Sequence, residues 1–310
     1  MPLRGFIAAF VLGVLATRAY AADPIGYAEA FDTLYSVDLS THQASEIGRA
    51  TPLDSPNPRY ANIVGLTFSP SGILYAVSDA GAVKTLLTVD KNTGLATAVG
   101  TLDLGTSNQL DLGLAFTCDG NLWMTAGTGQ FWKVNPSNAA VTPLGNLGIT
   151  ITGVTGRANR LYATGSQGNN ALYAIDPAHA QATLIGSYGS SNFITTASPG
   201  FDDAGKLWAV LDYVPPPSGP SPDWSDLAQI RTDNGKLTTV GSITPSEAKW
   251  AGDLQQIGLK GLAIPSNICA ALPAGPVVST PTLSWQALLA LAGLLAWASG
   301  TWARRRHPYP

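Results

Sequence analysis

Charge is scarce in this chain: only 12% of its 310 residues are Asp, Glu, Lys or Arg, and the formal net charge is -3. A nucleic-acid partner needs cations to neutralise phosphate, yet no Lys/Arg run occurs before the extreme C-terminus, which argues against that class of ligand. Histidine is scarcer still, and His42, His179 and His307 show neither triad nor metal spacing. No GxSxG, HExxH, EF-hand loop or P-loop is present, so the enzyme classes that those motifs carry lack support. The two cysteines, Cys118 and Cys269, supply too few ligands for a metal site by themselves. Helical periodicity is also missing between the strand-like runs, which disfavours βαβ units.

What is present is a repeat. Residues 63–100, IVGLTFSPSGILYAVSDAGAVKTLLTVDKNTGLATAVG, read as four short strands rich in β-branched and aromatic residues, broken by SPSG, SDAG and KNTG turns. The first strand recurs at Gly65, Gly113, Gly153, Gly200 and Gly261, where a glycine suits an innermost strand crowding its counterparts near an axis. The second recurs as Leu74-Tyr75, Leu122-Trp123, Leu161-Tyr162 and Leu207-Trp208. An outer hairpin pairs Asp38 with Gly48, Asp90 with Gly100, Asn135 with Gly145, Asp176 with Gly186, and Asp233 with Gly241. The closing glycines are 52, 45, 41 and 55 residues apart, the length of a four-stranded propeller blade.

The expected fold is therefore an all-β, five-bladed β-propeller of four-stranded antiparallel blades. The chain opens on an outer hairpin lacking an inner strand and ends its repeats on an inner strand lacking an outer hairpin. One blade should be completed by both chain ends, with residues 26–30 as its second strand, leaving no open sheet edge.

The domain boundaries follow from composition. Residues 1–21 carry Arg4, an apolar run from Phe6 to Leu15 and a small-residue Ala19-Tyr-Ala21 site, the pattern of a secretory signal peptide; an uncleaved anchor is the alternative. The propeller is expected over 22–264, a Pro/Ala/Ser-rich linker over 265–284, and a transmembrane helix over 285–303. The stretch Trp285 to Trp302 is uncharged and would span about 27 Å as a helix. Arg304, Arg305 and Arg306 would hold its end on the cytoplasmic side, in a basic tail over 304–310.

Pro281, Thr282, Leu283, Ser284 and Trp285, followed by the apolar helix and the three arginines, resemble the bacterial IPTL-type C-terminal sorting signals related to PEP-CTERM. Thr280 departs from the usual Ile or Val, and no acidic residue precedes the Trp. The resemblance covers about the last thirty residues. It implies recognition by an exosortase-like membrane protease and delivery to the surface of a Gram-negative bacterium, where a plain single-pass anchor would leave the protein on the periplasmic side of the inner membrane. The repeats are similar to those of divergent propellers of bacterial surface proteins, a likeness that implies fold and no activity.

In an exported chain, Cys118 in the turn after an inner strand and Cys269 just past the last inner strand should share one face of the ring, as a disulfide or as two independent thiols. The Asp and Asn residues before the outer turns suit side-chain bonds to the backbone two residues on, and the second-strand aromatics suit packing between blades. The longest insertion, 211–227, holds Asp212, Tyr213, Asp223 and Trp224 beside a triple proline, on the face opposite the inner hairpin turns and so on the membrane-distal side. With Asp79 and Asp111 these are the candidate ligand or partner contacts, the ligand being a glycan or a protein. The function expected is a non-enzymatic binding module without a cofactor. The alternative is a lactonase-like hydrolase or lyase in which Asp79, Asp111 and Asp212 converge at the channel mouth, with calcium as the conceivable cofactor.

Overall fold

The computed structural model describes residues 24–52, 60–80, 83–105, 111–190, 193–213, 225–246, 258–266 and 269. The expected signal peptide, Asp223, Trp224, the sorting motif, the apolar C-terminal segment and the arginines lie outside them. Among the described residues no helix is long and apolar enough to cross a membrane.

The first blade begins with β1 (Ile25–Ala30), β2 (Thr33–Asp38) and β3 (Gln43–Arg49). The second is β4 (Ile63–Phe68), β5 (Leu74–Ser78), β6 (Lys84–Val89) and β7 (Ala96–Leu102). The third is β8 (Gly113–Phe116), β9 (Leu122–Thr125), β10 (Gln130–Val134) and β11 (Val141–Asn146). The fourth is β12 (Ile151–Arg157), β13 (Arg160–Gly165), β14 (Ala171–Asp176) and β15 (Gln181–Ser187). The fifth is β16 (Ile194–Phe201), β17 (Leu207–Tyr213), β18 (Ser225–Ile230) and β19 (Leu237–Ser242). Two further strands, β20 (Thr244–Pro245) and β21 (Lys260–Ala263), return to the first blade, whose strand order is β20-β3-β2-β1-β21. The protein is a five-bladed antiparallel β-propeller in which the last strand pairs with β1, as the repeat count requires. The outer stitch by β20, parallel to β3, is not foreshadowed by the repeats, since two residues carry no periodicity.

Glycine makes the ring possible at two radii. On the inner strands, a Cβ at Gly65 would lie 2.8 Å from the Leu112 carbonyl oxygen, and one at Gly113 would lie 2.9 Å from Thr125 Oγ1 and 3.1 Å from the Val154 nitrogen. Gly153 abuts the Ala197 carbonyl, and Gly261 meets the Leu66 nitrogen at 3.0 Å. Each of these glycines thus touches the inner strand of the following blade. The register corrects one assignment: Ser198, opposite Val210, holds the position that Gly113 holds opposite Thr125, and Gly200 lies two residues further on. The Ser198 hydroxyl there accepts a hydrogen bond from the Gly261 N–H at 3.0 Å.

At the outer radius, every outer hairpin carries a bulge just before its closing glycine. The next blade's outer turn then docks on that glycine: Thr93 on Gly48, Asn138 on Gly100, Ala180 on Gly145, Asn234 on Gly186 and His42 on Gly241. Asp38, Asp90, Asn135 and Asp176 shape these turns by accepting the N–H two residues on, at 2.8 to 2.9 Å. Asp233 does not belong with them. The Gly235 N–H bonds the Arg231 carbonyl as Gly94 bonds that of Asp90, so Arg231 occupies the turn position and Asp233 forms an exposed ion pair with it.

Between the radii, five apolar clusters fill the five seams between blades. Ring sizes compensate across each seam. Tyr27 meets Phe68, Tyr75 meets Phe116 and Tyr162 meets Phe201, edge to face at 5.2 to 5.6 Å. Where the next inner strand offers Gly156 or Ile264 at the phenylalanine position, the preceding blade supplies the larger Trp123 or Trp208. Both indoles find acceptors, Thr117 Oγ1 and Asp202 Oδ2, each at 2.9 Å. The second-strand aromatics are therefore packing residues, as expected.

Cys118, in an inner hairpin turn, and Cys269 form a disulfide with Cα atoms 5.1 Å apart, closing a loop of 151 residues. It fastens the chain beyond β21 to the third blade.

Two outcomes follow. Gly113→Val inserts a branched side chain against backbone that cannot withdraw, so the melting temperature should fall by about 5 °C or more; an unchanged melt would refute the inner-strand register. Loop-closure entropy sets the disulfide's stabilisation at about 5 kcal/mol at most, so a Cys118→Ser, Cys269→Ser variant should unfold at distinctly lower denaturant, and unreduced denatured wild type should show no thiol.

Candidate binding site at the channel mouth

The ring has two unlike sides. Inner hairpin turns, Cys118 and Cys269 occupy one; the other, where inner strands begin and second strands end, is called the mouth here. Between them the channel is nearly filled by backbone: the space among Gly65, Gly113, Gly153 and Gly261 is about 10 Å³, below what one water needs. Toward the hairpin turns the channel widens to a cavity of about 50 Å³ lined by Phe68, Phe116, Phe201 and Ile264, so the constriction lies at the glycines.

At the mouth, all five blades contribute a polar side chain. Asp79 follows β5 and forms a buried ion pair with Lys84 at the start of β6. Asp111 precedes β8 and accepts a hydrogen bond from the Gln167 amide at 3.4 Å. Asp212, near the end of β17, accepts hydrogen bonds from Ser225 Oγ at 2.6 Å and Thr196 Oγ1 at 2.8 Å. Lys260 opens β21 in the first blade. Strand direction explains the convergence, because in an antiparallel blade every second-strand end and every inner-strand start falls on one side.

These groups feel one another. Burial pushes the Asp79 carboxyl above its ordinary range, opposed by the hydrogen bond and charge of Lys84 and reinforced by Asp111, with Lys260 lowering it again. Burial pushes Asp212 up to about 7, against its bonds from Ser225 and Thr196 and the charge of Lys260, while Asp111 adds to the rise. Asp79, Asp111 and Asp212 therefore lie on one side of the ring, where the charge of Asp111 acts on the other two, together with Lys84, Gln167 and Lys260, which the repeat pattern does not single out. A lysine beginning a strand and a glutamine in a turn carry no periodic signal; only the ring's closure brings them together. Tyr213 turns elsewhere: its hydroxyl is engaged by Asp226 and Thr239 of the outer strands, and burial raises its ionisation. Asp223 and Trp224 are outside the described residues.

Asp111 is partly exposed and Gln167 is exposed, both at positive φ, +53° and +52°, which tips these two turn residues out of the strands. Asp212 and Asp79 are each only 6% exposed and lie beneath them. The arrangement is an accessible acceptor and amide over a buried carboxylate layer with two ammonium groups. Among the described residues no group of three or more metal-ligating side chains comes together.

The folded state keeps the Asp212 proton to a higher pH than the unfolded chain does, so this group's contribution to stability falls as pH rises from about 4 to about 7 and is flat above. The full span is about 4 kcal/mol at most. Asp212→Asn lacks this dependence, so its stability relative to wild type should improve across that window in urea melts; a constant difference would refute the assignment.

No sequence family and no curated protein matches the chain. Solved structures do resemble it in fold. A GH43 glycoside hydrolase, engineered for endo-xylanase and exo-arabinofuranosidase activity, is 14% identical with a TM-score of 0.48, over 72% of this chain and 50% of that one. TolB from Acinetobacter baumannii is 15% identical with a TM-score of 0.46, over 79% and 67%. A putative gluconolactonase is 13% identical with a TM-score of 0.42, over 72% and 80%. The chain spans half the length of the glycoside hydrolase it resembles, and at these identities the likeness is one of fold, with no activity attached.

Proposed function

We propose that the protein is an exported binding module that takes a hydroxyl-rich ligand, a glycan, at the mouth of its propeller. One observation carries this reading: all five blades place a charged or amide side chain at a single mouth, above a channel that the inner glycines narrow to about 10 Å³. Carboxylate oxygens and an amide beside an ammonium suit the mixed donors and acceptors of a sugar without demanding a charged partner. The disulfide suits an oxidising compartment, in keeping with the N-terminal signal pattern and the sorting-signal resemblance, and so with surface display or a membrane tether. The disulfide holds Cys269 on the hairpin-turn side of the ring, opposite the mouth.

A second reading has one specific observation behind it. Two neighbouring carboxylates, one of them titrating near 7, are the raw material of acid and base catalysis, as in a hydrolase or lyase. Against it, Asp212 is buried and its oxygens are already taken by Ser225 and Thr196, which leaves it no geometry for a substrate.

Calorimetry of the protein against a panel of neutral and acidic oligosaccharides separates these readings. Binding without turnover is expected. A double change of Asp111→Asn and Gln167→Ala should weaken it at least tenfold, about 1.4 kcal/mol, with the melting temperature little altered. Hydrolysis of any panel member, or affinity indifferent to the double change, would overturn the proposal.

A further inference from the structure

Among the described residues one carboxyl is buried with neither oxygen hydrogen-bonded. Glu29, on β1, is 0% exposed and neither of its oxygens has a hydrogen-bond partner. Side chains two apart on a strand share a face, so Glu29 points the same way as Tyr27, whose ring meets Phe68 of the second blade. It stands opposite Lys260 in the pairing of β1 with β21, the contact that closes the ring, just beyond a bulge in that pairing. The other blades place Val77, Thr125, Thr164 and Val210 at this position, none of them ionisable. Thr164 shows what the position does elsewhere: its hydroxyl donates to the Ala197 carbonyl of the next blade at 2.6 Å. A protonated carboxyl can do the same, and an ionised one cannot.

The surrounding charges narrow the possibilities. The turn after β1 provides Asp32, held by Arg49 at 3.0 Å. The facing strand β4, with sequence IVGLTF, provides no ionisable group. At the mouth end, Asp79 is paired with Lys84, while Asp111 and Asp212 lie around Lys260. Lys260 belongs to no ion pair among the described residues. Burial, and secondarily the charge of Asp32, hold the Glu29 carboxyl well above the usual range. If that proton is lost, the cation opposite the carboxylate in the β1–β21 pairing is Lys260, which no ion pair among the described residues holds.

We propose that Glu29 and Lys260 form a proton-linked switch that sets the charge of the mouth. With Glu29 protonated, the Lys260 ammonium stays near Asp79 and Asp212. When Glu29 releases its proton to solvent, Lys260 turns inward to pair with the carboxylate, and the mouth loses a cation. The effect on ligand affinity rests on the mouth being the binding face, but the switch itself is readable without ligand.

The test is carbon-detected NMR of the full chain, ligand-free, from pH 5 to pH 10, following the Glu29 carboxyl and the Lys260 side chain. The Lys260 signals should shift with the midpoint of the Glu29 titration, and Glu29→Gln should abolish that step. Should Glu29→Gln fail to fold, Lys260→Met serves instead and should raise the Glu29 midpoint by at least one pH unit, a tenfold change in proton affinity. A Lys260 blind to the Glu29 titration, a Glu29 midpoint unmoved in Lys260→Met, ionisation in the ordinary glutamate range, or a carboxyl that stays protonated throughout would each overturn the switch. None of these outcomes depends on whether a glycan binds.

Discussion

Close approach of backbone to backbone between neighbouring blades is the constraint from which the rest of this structure follows. Inner strands meet around the axis through glycine at four of the five equivalent positions and through Ser198 at the fifth, and outer turns seat on the preceding blade where its hairpin ends in glycine. The two contacts fix the distance and tilt between blades, and the apolar seam is cut to the remaining gap, which is why Tyr with Phe alternates with Trp opposite Gly or Ile. Filling the axis with backbone has a functional consequence. A ring this tight leaves along its axis a cavity of about 50 Å³ toward the hairpin turns, lined by Phe68, Phe116, Phe201 and Ile264, so the charged and amide groups available for recognition are those at the strand ends.

Those glycines are also why so much of the fold was legible in the sequence. A Cβ at these positions would collide with the neighbouring blade, so Gly65, Gly113, Gly153 and Gly261 mark the inner strands, and Gly48, Gly100, Gly145, Gly186 and Gly241 mark the outer hairpins, whatever the sequence of the strands between them. Misassignments arise where the marker is substituted by something chemically adequate. Ser198 replaces the inner glycine and uses its hydroxyl to hold β21, which left Gly200 as a decoy two residues away. Arg231 holds a turn through backbone alone, which left Asp233 as the apparent turn residue. Of the mouth, Asp79, Asp111 and Asp212 follow from strand direction, whereas Lys84, Gln167, Lys260 and Glu29 follow only from which blades become neighbours.

The buried carboxyls of the mouth end are costly to a scaffold that otherwise avoids charge. Val77 and Val210 show that the Glu29 position accepts an apolar side chain, and exchanging a buried ionic group for a well-packed apolar one is often neutral or stabilising. Glu29, Asp79 and Asp212 all have their ionisation displaced upward by burial, and all three lie toward the same end of the ring. Perturbed acids gathered at one rim, with the seams below them apolar, are what a site looks like when its chemistry opposes the fold.

Closure of the ring separates stability from that chemistry. No peptide bond joins the two ends of the first blade, and the Cys118–Cys269 disulfide, on the hairpin-turn side, ties the chain beyond β21 to the third blade. On the mouth side closure relies on weaker links, the pairing of β1 with β21 that sets Glu29 against Lys260 and the Leu259 N–H bonded to Ser225 of the fifth blade at 2.7 Å, while β20 pairs at the start of β3, away from the mouth. A disturbance at the mouth can thus loosen the start of β21 while the far side stays clamped. The proton-sensitive pair stands at the one seam where the ring is closed by strands from opposite ends of the chain, and on the side of that seam which the disulfide does not reach.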